Sequence, residues 1–325
     1  MKEIKIFIRL AECFQEEISQ YLIAPLREKG CTITERFMEH PLEEQQLIDA
    51  LQGYTIAVIG TEDISRRVLE QTKLSMVCCS GGGLNHVDLK AAEALGIMVT
   101  HAPLANIHAV AEFAAAVLLD RMRRVTECRR AVENGSWPLL VGKYSGRTTV
   151  GIIGLGNIGR LAARKISGIG FHVIGYDVIR GEDSPYFEFV DMQQLLERSN
   201  AILIHIPLTA QTRGMIGEKE IAAMRNRPCI INLSRGGIVD ERALVKALQE
   251  KRISGAALDV FEHEPLAESD LLCSFGEETL LLTPHVAATT RDAVACVSET
   301  ISKQITSYLE GAEPPFTVVG AAAER

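Results

Sequence analysis

The chain has 325 residues, 47% of them hydrophobic and 23% charged, with 34 basic side chains against 42 acidic ones and a formal net charge of −8. That is more chain than one modest core organises, so two domains are expected, and the balance excludes a disordered, collagenous or low-complexity protein. No stripe of Lys and Arg interrupts it, which argues against nucleic acid or an anionic membrane surface as partner.

In chain order, EIKIFI reads as a first strand and lacks the long apolar run of a signal peptide. Ile18, Leu22 and Leu26 recur at four-residue spacing and predict a helix over 14–29. CTITERF, YTIAVIG, KLSMVCC and GIMVT add four β runs separated by helical patterns, the alternation of a parallel sheet covered on both faces. A long helical pattern over 105–133 follows and stops at the C-cap signal Asn134-Gly135. Its most apolar stretch, Ala109 to Leu119, is short and carries Glu112, so no bilayer span is expected. A second α/β series then runs through TTVGIIG, FHVIGYD, NAILIHIP, PCIINLS, ISGAALDV and TLLLTP, with helices over 191–198 and 240–251 among them. Thr289-Thr290 caps a last amphipathic helix over 291–309, and Glu313-Pro314-Pro315 opens a tail. The eight cysteines form no C-x-x-C pair and several sit in apolar runs, so reduced thiols and a cytoplasmic address are expected.

Gly154, Gly156 and Gly159 form G-x-G-x-x-G where the TTVGIIG strand ends and a helix opens through Asn157 and Ile158. In that context Gly154 makes the tight turn, Gly156 lets backbone approach a pyrophosphate, and Gly159 allows close helix-to-strand packing. The helix N-terminus then presents free N–H groups to the phosphates. Asp177 ends the second strand, eighteen residues beyond Gly159, where a carboxylate binds the adenosine ribose and repels a 2′-phosphate. NAD is therefore expected over NADP, although Arg180 stands three residues on and could hold that phosphate.

Ligands of a doubly wound sheet bind beyond the carboxyl ends of the strands. Arg235 follows PCIINLS, Glu262 and Glu264 follow AALDV, and His285 follows LLLTP. A cation, a carboxylate and an imidazole thus leave strand ends on the cofactor edge. They suit hydride transfer at a carbon bearing oxygen: His moves the proton, a carboxylate keeps the imidazolium loaded and oriented, and a guanidinium holds a substrate carboxylate. Asp259, at the end of its strand, could fix the nicotinamide carboxamide. Cys78 and Cys79 precede a glycine loop and read as buried strand cysteines rather than reactive ones.

GIIGLGNIGR, INLSRGGIVDE, ALDVFEHEP and LLTPHVAATT, in this order, resemble the motifs of the D-isomer-specific 2-hydroxyacid dehydrogenase family. VCCSGGGLNHVDLKAAEALGI looks like its substrate loop and NIHAVAEFAAAVLL like its first interdomain helix. The resemblance implies an α/β architecture of two doubly wound parallel-sheet domains. An NAD-binding Rossmann domain (102–287) is inserted into a flavodoxin-like substrate domain (1–101 and 288–325), with hinges near 100–103 and 287–291. It implies Arg235 as substrate anchor, His285 as acid/base and Glu264 as its partner. Backbone N–H groups near Gly82 and Gly83 would bind the substrate carboxylate. The cofactor site would take in Gly154, Gly156, Asn157, Ile158, Gly159, Asp177, Pro207, Thr212, Ser234 and Asp259. The helix at 105–133 is where such proteins form homodimers, and no metal is implied.

Two departures bear on substrate. Asn85 stands in the glycine loop where many members have Asp, which is expected to change preference more than mechanism. The loop Gly60-Thr61-Glu62-Asp63 is acidic where phosphoglycerate-using relatives are basic, so Glu62 and Asp63 are expected to repel a phosphate. Glu264, where formate dehydrogenases carry Gln, disfavours formate. The reading is an NAD-dependent oxidoreductase that reduces a small 2-oxo acid to a D-2-hydroxy acid. The alternatives are a short-type D-3-phosphoglycerate dehydrogenase and a non-enzymatic NAD-sensing protein of the same fold.

Overall fold

The computed structural model describes residues 3–37, 42–276 and 278–320. The chain divides into two compact units, Met1–Asn106 with Thr289–Arg325, and Ile107–Ala288. The first break falls after Asn106 rather than after residue 101, because Ala102 is buried in the core of the first unit and Ala105 packs against it.

Five parallel strands build the first unit: β1 (Lys5–Arg9), β2 (Thr32–Glu35), β3 (Ile56–Ile59), β4 (Met76–Cys79) and β5 (Met98–His101). Their order, β2-β1-β3-β4-β5, is the flavodoxin-like winding. Every residue of β3 and β4 is buried, as continuous apolar runs covered on both faces must be. In β1 the two-residue period sends Ile6 and Ile8 to one core layer and Phe7 to the other. Ile6 and Ile8 meet Leu22, Leu26, Ile301 and Ile305, so the C-terminal helix Arg291–Leu309 closes that layer. Thr290 Oγ1 caps this helix by accepting from Ala293 N–H at 3.2 Å. Beyond it the expected tail instead adds a strand, Thr317–Val319, antiparallel to β5. Burial pushes the Cys78 and Cys79 thiols up to about 12, which leaves them poor nucleophiles.

The second unit has seven parallel strands: β6 (Thr149–Ile153), β7 (His172–Tyr176), β8 (Glu188–Phe189), β9 (Ala201–Ile204), β10 (Cys229–Asn232), β11 (Gly255–Leu258) and β12 (Leu280–Leu282). Their order is β8-β7-β6-β9-β10-β11-β12, the Rossmann winding with one added edge strand. The order reverses between β6 and β9, which places the Gly154–Gly159 turn at the switch point. β8 has two residues, too few to show a period, and escapes detection in the sequence.

The helix expected over 105–133 is two helices, Ile107–Arg123 and Val125–Glu133. Arg124 breaks the run at φ 58°. Asp120 Oδ1 accepts from Thr126 N–H at 2.8 Å and from its hydroxyl at 2.7 Å, competing with helical continuation at this point. The first helix buries Ala111, Ala114 and Leu118, whereas the second buries nothing. Among the described residues no helix is long and apolar enough to cross a membrane.

Candidate active site

At the switch point the three glycines have separate physical reasons. Gly154 has φ +97°, and a Cβ there would lie 2.6 Å from the His205 carbonyl oxygen. A Cβ on Gly159 would lie 1.8 Å from the Gly154 oxygen, so only glycine lets the helix sit on the turn. Around Gly156 the corresponding space is open to 4 Å, leaving room for a ligand to reach the backbone. No side chain caps the helix Asn157–Gly168, so its first N–H groups remain available to an anion. Asp177 is half-buried, and its carboxylate accepts from Leu155 N–H at 2.8 Å and Ile179 N–H at 3.1 Å. Arg180 is exposed on the following loop. On the other side of the switch point Thr212 donates to the Pro207 carbonyl at 2.6 Å and accepts from Thr209 N–H at 2.7 Å, folding the 207–212 loop on itself. An open glycine, free helix N–H groups and a carboxylate at the ribose position fit NAD.

The groups after β10, β11 and β12 converge. Asn232, buried at the end of β10, donates through Nδ2 to the Arg235 carbonyl at 2.8 Å. Its Oδ1 accepts from Ser234 N–H at 3.1 Å and Ser234 Oγ at 2.9 Å, so one amide clasps the whole turn. Gly236 lies against the chain leaving β11: a Cβ there would sit 1.8 Å from the Phe261 oxygen. That approach brings Arg235 into the field of Glu264. Burial lowers the Arg235 guanidinium, and the Glu264 charge opposes the shift; the group stays a cation.

Glu264 accepts from Phe261 N–H at 2.9 Å through Oε1 and meets His285 Nδ1 at 2.8 Å through Oε2. Burial alone would raise its carboxyl. The hydrogen bond and charge of His285, the Phe261 N–H and the Arg235 charge together outweigh burial and hold it below the ordinary carboxylate range. With Nδ1–H donated to the carboxylate, Nε2 is the nitrogen of His285 left for chemistry. Glu262, the competing carboxylate in the sequence, instead meets Arg213 at 3.4 Å. Its N–H donates to Glu241.

His285 has φ 54°, a left-handed conformation that costs a non-glycine residue energy and marks functional positions. Asp259 holds this conformation in place. Fully buried, it accepts from Thr283 Oγ1 at 2.6 Å and Val286 N–H at 2.9 Å through Oδ1, and from Ala287 N–H at 2.8 Å through Oδ2. The carboxylate therefore clamps both flanks of His285, a role the sequence does not reveal. Asn232, Gly236 and Thr283 were likewise missed as supports. The first carried a readable signal, an Asn two residues before Ser at a strand end.

In the first unit Gly82 is exposed and Gly83 half-buried in the loop after β4, and Asn85 is exposed. The expected repulsion of phosphate by Glu62 is overturned. Glu62 is fully buried, with Oε1 2.7 Å from Arg9 Nε and Oε2 accepting from Gly60 N–H at 3.2 Å. Its charge is matched internally, and Asp63 alone of the pair is exposed. Among the described residues no group of three His, Cys, Asp or Glu could hold a metal ion.

A family model described as the NAD-binding domain of D-isomer-specific 2-hydroxyacid dehydrogenases matches residues 115–287. The chain is 37% identical to a glyoxylate reductase of Korarchaeum cryptofilum over 292 residues, covering 86% of this chain and 87% of the relative. It is 33% identical to a D-3-phosphoglycerate dehydrogenase of Methanocaldococcus jannaschii over 305 residues, 88% of this chain but 56% of that longer protein. The fold matches the structure of Aquifex aeolicus D-lactate dehydrogenase complexed with NAD and lactic acid. The TM-score is 0.84 at 25% identity, and the match covers 98% of this chain and all of the other. The chain belongs to the D-isomer-specific 2-hydroxyacid dehydrogenases, which interconvert 2-oxo and 2-hydroxy acids with NAD.

Proposed function

We propose that the chain reduces a small, unphosphorylated 2-oxo acid to its D-2-hydroxy acid, with His285 as proton donor, Glu264 as its partner and Arg235 as the cation that anchors the substrate carboxylate. The observation that carries this reading is the 2.8 Å contact between Glu264 Oε2 and His285 Nδ1. NADH, when bound, supplies the hydride that reduces the carbonyl carbon. Glu264 stabilises the positive charge of the imidazolium before the transfer. The Nε2–H bond then breaks as an O–H bond forms on the substrate oxygen, leaving a neutral imidazole held by Glu264. Arg235 offers a fork matched to a carboxylate. Gly154, Gly156, Asn157, Ile158, Gly159, Asp177, Pro207, Thr212 and Ser234 would hold the dinucleotide. Asp259, fully buried, would serve this site by holding the segment that carries His285.

Several observations favour a small acid over a phosphorylated one. The match covers 87% and 85% of two glyoxylate reductases, against 56% of the phosphoglycerate dehydrogenase. Near the loop after β3, Arg9 is held in a buried pair with Glu62, and Asp63 is exposed. We place the protein in the cytoplasm and expect a homodimer. Val125, Val132, Trp137, Leu139, Val141 and Tyr144 expose large apolar side chains within one short stretch, which a second copy of the chain would cover.

The test is oxidation of NADH and of NADPH with glyoxylate, hydroxypyruvate, pyruvate, 2-oxoisocaproate and 3-phosphohydroxypyruvate. Saturable turnover with an unphosphorylated acid and NADH is expected. Preference for the phosphorylated acid would replace this reading with the phosphoglycerate one, and tight NADH binding without turnover would favour the sensor.

A further inference from the structure

Two successive carbonyls of the glycine loop are held by the residues that end β5. Ala102 N–H donates to the Gly81 oxygen at 3.2 Å. His101 Nδ1 lies 3.1 Å from the Gly82 oxygen, which can only accept, so Nδ1 carries the proton. A trans peptide points its C=O and the following N–H in opposite directions. Holding these oxygens therefore turns the N–H groups of Gly82 and Gly83 away from β5. Among the described residues neither N–H has a protein acceptor. Two adjacent backbone donors without partners are suited to a carboxylate.

The histidine is itself anchored. Its carbonyl accepts from Gln304 Nε2 at 2.7 Å, and the same nitrogen donates to the Pro315 carbonyl at 3.0 Å. Gln304 is fully buried, and its Oε1 accepts from Thr100 Oγ1 at 2.9 Å. The backbone at 101 is thus fixed, and the Gly82 carbonyl is a defined target for the ring.

We propose that His101 is a positioning residue: its Nδ1–H bond to the Gly82 carbonyl aims the Gly83 N–H at the substrate carboxylate. The proposal rests on the reading that the Gly82 and Gly83 amides bind that carboxylate. Asn places Nδ2 on Cγ as His places Nδ1, so His101→Asn keeps a donor at the same distance along the side chain. His101→Leu keeps the branching and removes the donor.

The experiment compares these variants with wild type and Arg235→Gln, using glyoxylate as substrate and amide hydrogen exchange at Ala102 as a readout free of activity. His101→Leu is expected to raise KM about tenfold, the effect of losing one well-placed hydrogen bond. It should leave kcat within about twofold and NADH affinity unchanged, and should speed exchange at the Ala102 N–H, which donates to the loop's Gly81 carbonyl. His101→Asn should restore both KM and exchange. An Asn variant as impaired as Leu would show that the ring matters for packing and overturn the proposal. A normal KM in His101→Leu beside a raised KM in Arg235→Gln would overturn the positioning role alone. A normal KM in both would overturn the substrate-anchor reading and the proposal with it.

Discussion

His285 Nδ1 and Glu264 Oε2 lie 2.8 Å apart although twenty-one residues and an entire strand, β12, separate them. The carboxylate comes from the chain leaving β11 and the imidazole from the chain leaving β12, so the pair exists because two parallel strands end at the same edge. A sequence shows each residue beside its strand; the sheet order makes them neighbours.

Removing the imidazole is therefore expected to remove the proton transfer and little else. His285→Ala should lower kcat by about a hundred- to ten-thousand-fold while NADH still binds. Glu264→Gln, which keeps an acceptor but loses the charge that stabilises the imidazolium, should lower kcat by less. Steady-state kinetics with NADH titration by fluorescence separates these effects. Normal turnover in His285→Ala would remove that residue from its role.

What could be read from the sequence follows range of interaction. The parallel sheets were legible because buried strands such as IAVI and MVCC are continuous apolar runs between helical periods. The side chains proposed as catalytic, Arg235, Glu264 and His285, stand out in the sequence because each follows a strand. Their supports were not, since Asp259 acts on Thr283, Val286 and Ala287 across a strand-to-strand distance that no local pattern encodes. The break at Arg124 was hidden for a related reason: the residues around it have ordinary helix character, and the competing interaction is the Asp120 carboxylate reaching Thr126. Glu62 failed in the opposite sense. It looks like a surface acid beside Asp63, and only the spatial nearness of β1 and β3 reveals Arg9 as its partner.

Gly236 offers a test of how closely the two strand ends must approach. Any Cβ there meets the Phe261 carbonyl at 1.8 Å, backbone against backbone, with no flexible side chain to yield. Gly236→Ala should displace the Arg235 turn and raise KM for the oxo acid by about tenfold or more, at a stability cost of about 1–3 kcal/mol. An alanine variant with wild-type KM would mean that the turn moves without consequence for the substrate.

The Arg9–Glu62 pair predicts a stability effect where a charge effect on substrate had been expected. Side-chain exposures of 7% and 0% place both ions out of water. Glu62→Gln removes the buried charge that faces the Arg9 guanidinium at 2.7 Å and should destabilise the first unit by about 3 kcal/mol. Urea unfolding would read this directly. Activity on 3-phosphohydroxypyruvate should not rise in this variant; a rise would restore the electrostatic role of Glu62 in substrate choice.

The exposed apolar stretch should behave as an interface. Trp137, Leu139 and Val141 are 87%, 96% and 84% exposed, values unusual for side chains of this type in one segment of a monomer. Light scattering should find a dimer in solution, and Leu139→Asp with Val141→Asp should shift it to monomer. A monomeric wild type at micromolar concentration would exclude the homodimer.

His205 supplies a pH dependence whose sign is fixed by burial. It follows β9 at the switch point; burial lowers its imidazole from 6.5 to about 4, and its buried Nε2 has no hydrogen-bond partner among the described residues. The native state thus keeps the ring neutral while the unfolded chain protonates it near its ordinary value. As pH falls from 6.5 towards 4 the unfolded state binds the extra proton, so stability declines. The slope from this one group is at most about 1.4 kcal/mol per pH unit, or of the order of 3 kcal/mol over the whole window. His205→Leu removes the titration and an unpartnered polar atom together. It should match or exceed wild-type stability near pH 4 and flatten the stability profile across the window. Above the unfolded-state value the two proteins should run parallel. Denaturant unfolding across this range decides the matter: an unchanged slope in the leucine variant would mean that His205 finds a proton-stabilising partner in the native state.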